Sequence, residues 1–577
     1  RNPNPYEGEP YYNLGWSKKM QGDIDGAYDA FFKATWNAAW QDSGYMGLAQ
    51  IDMIREDYTN GLDHIDRSLY RNWLNHKGRQ LKVSFLRKTG DFAKAEALIN
   101  DSLAMDKFNM GCRFESYLIH TLQGNTEAAA AAKAEMKALM RGAVHSYLEY
   151  AIDYASAGMY EEAAQLLSFV TEENEATYPM VYYALGYFAS KMGKKDEALN
   201  LYKKAETMCP DYCFPNKLEE VLMLNDAMSL NPEGAKAPYY LGNFHYAARI
   251  YDEAIACWEK SASIDDTYPT VLRNLSLAYY NKQHNPQKAL ATLEKAYNLD
   301  TTDARILMEL DQLYKKLRYP HRQRLDFLEA HADVVEQRDD LCIERITLYN
   351  QLGEYQKAYD LINSRKFHPW EGGEGKVTSQ YLLCRVELAK IAIREGRFAD
   401  AVRLLKETEK YPDNLGEGKL SMAEENDIHY WMGCAYEGLG EEALAKEYFT
   451  KATKGSAEPA IAFFYNDQQP DKIFYQGLAW RKLGEEDKAR SRFNRLIKHG
   501  EKHLFDKVKI DYFAVSLPDL LIWDDDLNVR NQIHCNLVMG MGYLGLGDKE
   551  QARKFLSEVA RLDINHQAGK QLLEMCG

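Results

Sequence analysis

The residues best suited to chemistry gather in four segments of the second half of the chain. His368, Trp370, Glu371 and Glu374 stand together in HPWEGGEG. Two carboxylates in one loop could divide acid and base roles, and an indole could stack on a sugar face. Gly372, Gly373 and Gly375 would let a backbone approach a ligand closely. The same loop also reads as a turn that closes one helix and shapes the next. Glu417 and Lys419 lie in YPDNLGEGKL, with Glu424, Glu425 and Asp427 after them. They could extend an acidic inner wall, or be solvated charges at a helix N-terminus. Tyr465, Asn466, Asp467 and Gln468, followed by Gln469, offer hydroxyl and amide groups suited to sugars or peptide backbone, or to an ordered loop. Asp524, Asp525 and Asp526, with His534 and Cys535, resemble cation ligands at first sight. Calcium needs oxygen ligands at alternating positions and a distant bidentate carboxylate, and that spacing is absent. A triple Asp before Leu527 reads better as a helix N-cap and first turn. The expected ligand- or partner-binding residues are therefore His368, Trp370, Glu371, Glu374, Glu417, Lys419, Tyr465, Asn466, Asp467 and Gln468. No metal site, cofactor or catalytic residue is assigned.

Bulk properties exclude several classes. The net charge of −15 argues against nucleic acid and anionic membranes, which call for an excess of Lys and Arg. No run of 18 apolar residues appears, so no membrane span is expected. Nine cysteines are scattered, and only Cys209 and Cys213 are close. That fits reduced thiols in a reducing compartment better than a disulfide framework or a metal site. No P-loop, dinucleotide fingerprint, HExxH or nucleophile elbow is present. The chain starts at Arg1 close to a repeat, and is expected to be a fragment of a longer protein.

These segments must be positioned by a repeating scaffold. A small residue at Ala27 recurs at Gly61, Ala95, Ala129 and Ala163, each 34 residues on. It returns at Ala198, Ala254, Ala289, Ala358, Ala401, Ala443, Ala489 and Ala552. Nine copies carry Gly five residues earlier, from Gly22 to Gly547. Gly closes the first helix of each unit, and the small residue lies where two helices cross closely. A 34-residue period means stacked helical hairpins. Tyr11, Leu14, Gly15, Ala27, Phe31 and Ala34 resemble the tetratricopeptide repeat, as do Tyr182, Leu185, Gly186, Ala198, Tyr202 and Ala205. The expected fold is all-α: an α-solenoid, a right-handed superhelix of about thirteen or fourteen such hairpins. Aromatic residues crowd the first copy, among them Tyr12, Trp16, Phe31 and Trp40. They suit inter-repeat packing or an aromatic-lined inner groove.

The rhythm divides the chain. Residues 1–205 hold regular repeats. Residues 206–238 form an irregular helical insertion or hinge, with an apolar helix over Leu218–Leu230. Residues 239–362 hold repeats, including a degenerate one around Tyr319–Val335 within a long helical stretch from Asp303. Residues 363–577 carry repeats with long insertions: Arg365–Gln380, Tyr411–Asp427, Gly455–Gly477 and His499–Asn531. Insertions that a scaffold does not need are where function is usually placed. The peptide-clamp arrangement of this repeat has its nearest match in Asn243, Asn274 and Arg305. Tyr239 and Glu309 replace the Lys and Arg it needs, so binding of acidic C-terminal tails is disfavoured.

RKFHPWEGGEGKV, YPDNLGEGKL, FFYNDQQPDKIFYQG and FAVSLPDLLIWDDDL also resemble a family of large bacterial proteins. In that family a β-rich N-terminal domain of uncharacterised function, galactose-mutarotase-like, precedes a long tetratricopeptide region. The resemblance covers essentially the whole chain and implies a carbohydrate-related, cytoplasmic bacterial setting. The expected function is a protein-interaction scaffold that docks a partner or the β-rich domain of its own parent chain. The alternative is the helical half of a carbohydrate-active enzyme whose loops complete a sugar site. This chain alone is expected not to be catalytic.

Overall fold

The computed structural model describes residues 7–171, 178–370, 372–421, 423–460, 469–509 and 522–577. Glu371, Tyr465, Asn466, Asp467 and Gln468 lie outside the described residues. All regular structure among the described residues is helical, in thirty-one α-helices and two short 3-10 turns. Fourteen successive helix pairs make up an α-solenoid, from Glu9–Met20 with Ile24–Ala34 to Leu527–Leu546 with Lys549–Leu562. The unpaired helix Leu218–Leu230 stands where the sequence places one. The helical stretch from Asp303 consists of Ala304–Lys316, His321–Ala330 and Ala332–Val335. Arg318 adopts a φ of 65°, and Pro320 two residues later has no N–H to continue a helix.

The small-residue ladder is the inner seam of the hairpins. Ala27, Ala95, Ala163, Ala198, Ala254, Ala289, Ala358, Ala401, Ala489 and Ala552 are fully buried. The second contact point is as tight. A Cβ built on Gly186 would lie 2.5 Å from the Tyr202 ring, and one on Gly477 would lie 2.4 Å from that of Phe493. One copy is corrected. Ala443 is exposed, and the buried seam residue is Ala445, five residues after Gly440 with its φ of 75°. Not every turn uses Gly. Glu56, Arg249 and His284 take φ values of 58°, 63° and 51° five residues before Gly61, Ala254 and Ala289.

The chain separates into two compact units, residues 1–271 and 272–577. Each carries a buried ionic network. In the first, Glu115 accepts from Arg87 Nε at 2.6 Å, Ser84 Oγ at 2.6 Å and Tyr154 OH at 2.9 Å. Arg87 also reaches Glu162 at 3.1 Å. In the second, Arg324 donates to Asp311 at 2.7 and 3.0 Å and to Glu344 at 2.7 Å. Such charges are tolerable inside only because each is paired and hydrogen-bonded. All nine cysteines are free, and Cys209 is exposed while Cys213 is buried.

Candidate functional site

The first two insertions of the second unit fold onto each other. Phe367, buried, donates its N–H to Asn414 O at 2.7 Å. Asn414 Nδ2 returns two bonds of 2.9 Å, to Ile362 O and Arg365 O. Glu417 reaches across to the N-terminus of the helix Lys376–Arg394, where its carboxylate accepts from Gly375 N at 3.0 Å. A carboxylate there suits the positive end of the helix dipole. Burial nevertheless raises the Glu417 pKa, helped by the charge of Glu374, and the Gly375 amide only partly opposes it. Trp370 folds over Gly373, whose Cβ would lie 2.0 Å from the indole. His368 is exposed and meets Asp339 through its backbone N–H at 2.8 Å and its ring at 3.2 Å. Lys419 pairs with Glu425 at 2.5 Å, within its own insertion, and Asp427 takes Lys472 at 2.5 Å. Of the residues expected to meet a ligand, Glu374 and Glu417 thus meet at one helix N-terminus, while His368 and Lys419 pair with Asp339 and Glu425.

The fourth insertion does something its sequence does not announce. Ile522–Asp525 crosses the unit to the helices Pro269–Asn281 and Ala304–Lys316, more than two hundred residues earlier. Trp523 is 1% exposed, among the largest fully buried side chains of the chain. Its indole N–H donates to Glu309 O at 3.1 Å, and its ring meets Tyr280 edge-on at 5.2 Å. Burying an indole's 150–250 Å² is worth about 4–6 kcal/mol at about 25 cal/mol per Å². Asp524 and Asp525 pair with Lys282 at 3.6 Å and Lys316 at 3.0 Å. Asp526 is the N-cap of the helix Leu527–Leu546, accepting from Asn528 N at 2.8 Å, and Asp524 and Asp525 lie before the helix rather than in its first turn. Asn565 adds a second crossing: His321 lies 3.2 Å from its side chain and Arg324 donates to it at 3.3 Å. Gln380 and Gln567 exchange side-chain bonds of 2.9 and 3.1 Å. The second unit therefore closes on itself.

Beside these crossings lies a cavity of about 650 Å³, bordered by Gln312, Lys316, Trp523, His534 and His566. Among the described residues the buried Nε2 of His534 has no hydrogen-bond partner, and burial, then His499, lowers its pKa to about 4. It is a neutral imidazole at physiological pH. The cavity walls include none of His368, Trp370, Glu374, Glu417 and Lys419.

The first unit has its own groove, of about 490 Å³. Tyr12, Trp16, Met20, Met46 and Ile152 give it apolar walls. Lys77 with Asp153 at 2.6 Å, and Lys217 with Glu149, form charged pairs among its borders. Lys19 lies beside it, its ammonium 2.7 Å from Gln50 Oε1 and 4.6 Å from the Trp16 ring centroid. Burial lowers its pKa to about 7, against a smaller upward pull from Glu219. Of the crowded aromatics of the first copy, Tyr12 and Trp16 border this groove while Phe31 is fully buried; nothing local marked Lys19.

Sequence comparison agrees with the repeat. Residues 181–212 and 427–454 match a tetratricopeptide-repeat model, and residues 473–499 match a second one. Similar solved structures include MamA, at 21% identity over 32% of this chain and 95% of that one, with a TM-score of 0.17. YrrB, described as a TPR protein with an unusual peptide-binding site, is 18% identical over 36% of this chain and 95% of its own, with a TM-score of 0.17. The Cut9–Hcn1 hetero-tetramer of APC/C matches over 99% of this chain and 96% of that chain at 14% identity, with a TM-score of 0.24. No described helix is long and apolar enough to cross a membrane.

Proposed function

We propose that this chain is a protein-interaction scaffold that presents its grooves and insertions to a folded or peptide partner. The observation that carries the reading is the groove of the first unit. It combines exposed apolar walls with paired charges, the composition of a recognition surface whose centre is dry and whose edge is polar. The first partner to test is the β-rich, mutarotase-like domain that the sequence resemblance sets beside such an array. Calorimetric titration of this chain with that domain, expressed separately, is expected to give saturable binding. Trp16→Ala in the groove and Trp370→Ala in the first insertion should each weaken it at least tenfold while leaving the helical content unchanged. Binding that neither substitution alters would remove both surfaces from the docking site. No heat of binding at all would eliminate this domain as the partner.

A further inference from the structure

We infer that the face built by the helices Pro269–Asn281 and Ala304–Lys316 is a peptide-recognition site, filled in cis by Ile522–Asp525. In trans it takes an extended segment that carries a large aromatic residue followed by two carboxylates.

Three kinds of contact meet on this face, and they are the ones a peptide receptor needs. The first reads backbone. Asn281 Nδ2 donates to Ile522 O at 2.8 Å, and Asn281 Oδ1 accepts from Asp524 N at 2.8 Å. One carboxamide thus brackets Trp523, pairing with the peptide groups on either side as a neighbouring strand would. It uses no side chain of the segment, so it accepts any sequence in that conformation. The second contact is a pocket. Trp523, 1% exposed, occupies it, with an indole N–H acceptor supplied by Glu309 O and an aromatic wall by Tyr280. The third is charge. Lys282 and Lys316 stand at the rim against Asp524 and Asp525. They fix the direction of the segment, since carboxylates must follow the aromatic residue rather than precede it.

The occupant is a strap, not a core strand. Only its tryptophan is deeply buried. The Asp524 side chain is 60% exposed and that of Asp525 is 31% exposed, so the charged edge is open to water and to exchange. Main-chain recognition, one aromatic anchor and a solvated ionic rim make a site whose affinity rests on few residues and whose occupant a better-matched segment can replace. The clamp positions that the sequence pointed to are committed elsewhere. Asn243 receives Trp258 Nε1 at 3.1 Å, and Glu309 binds Arg273 and Arg305 through its carboxylate. The receptor asparagine of this unit is Asn281.

The test uses the full chain and a fluorescein-labelled peptide of residues 522–528, Ile-Trp-Asp-Asp-Asp-Leu-Asn. Trp523→Ala empties the pocket. That variant should bind the peptide at least tenfold more tightly than the unaltered chain, whose site is occupied. The gain should vanish in Trp523→Ala with Asn281→Ala, and with a peptide whose tryptophan is replaced by alanine. Added salt should weaken binding, because the rim pairs are solvated. Equal affinity for the variant and the unaltered chain, or binding indifferent to Asn281→Ala, would overturn the inference. Where Trp523→Ala does not fold, the chain carrying Asp524→Asn and Asp525→Asn takes its place, since it loses only exposed rim charges. It too should bind the peptide more tightly than the unaltered chain, and equal affinity there would again overturn the inference.

Discussion

Lys19 is a residue whose environment changes its chemistry. An ordinary lysine holds its proton to about pH 10.5, but burial brings this one to about 7. The sign follows directly: between those values the unfolded chain binds a proton that the folded chain has released, so the first unit gains stability as pH rises through that window. We expect acylation of Lys19 by an amine-directed reagent to follow a midpoint near pH 7, read by peptide mass spectrometry. Glu219→Gln should move that midpoint lower, because the Glu219 charge is what holds it up. A midpoint above pH 9 would show that the ammonium is solvated. Glu115 matters through the partners it holds. Removing it leaves Arg87, which is 6% exposed, with Glu162 alone as its carboxylate and takes the acceptor from Ser84 and Tyr154. Glu115→Ala should cost about 3–5 kcal/mol in urea unfolding, and Glu115→Gln distinctly less, because it keeps an acceptor for Arg87.

At the scale of the hairpin, stability depends on side chains that are small enough. Ala163 and Ala198 are fully buried where the second helix crosses the first. Ala198→Leu should therefore cost about 1–3 kcal/mol by overpacking, with hydrogen exchange rising first in Met180–Lys191 and Lys195–Glu206. Exchange that rose evenly along the chain would contradict this local picture. The ladder was legible in the sequence because it is local: residue size and a fixed spacing are both written in one segment. The misplaced seam at Ala443 shows the limit. EGLGEEALA offers two glycines and two alanines in nearly the same frame, and only packing chooses Gly440 and Ala445. The candidate site was legible in part. Glu417 and Trp370 were found as unusual residues, but their mutual placement depends on Asn414 bridging two insertions, which no spacing rule encodes.

Over a whole unit, closure changes how stability is shared. A solenoid with nearest-neighbour contacts frays from its ends. The second unit instead ties Gln567 of its final helix, Gln567–Met575, to the helix Lys376–Arg394, and Asn565 to His321–Ala330 nearer its start. Asn565→Ala removes an acceptor from Arg324 and a partner from His321. It should lower stability by about 1–3 kcal/mol and raise exchange in Ala304–Lys316 and His321–Ala330, more than two hundred residues away. Loss of protection confined to the last helix would show that the crossing carries no load.

Trp523 and Asn565 also set an order of events during synthesis. A chain emerges at about 5–20 residues per second, so the helix Ala304–Lys316 waits on the order of 10–40 seconds before residue 523 appears. Throughout that interval its inner face is complete but uncovered, with the Glu309 carbonyl and the Tyr280 ring exposed to whatever else is nearby. The hairpins of the second unit can form one by one on the ribosome, but the unit itself is finished by its last fifty residues.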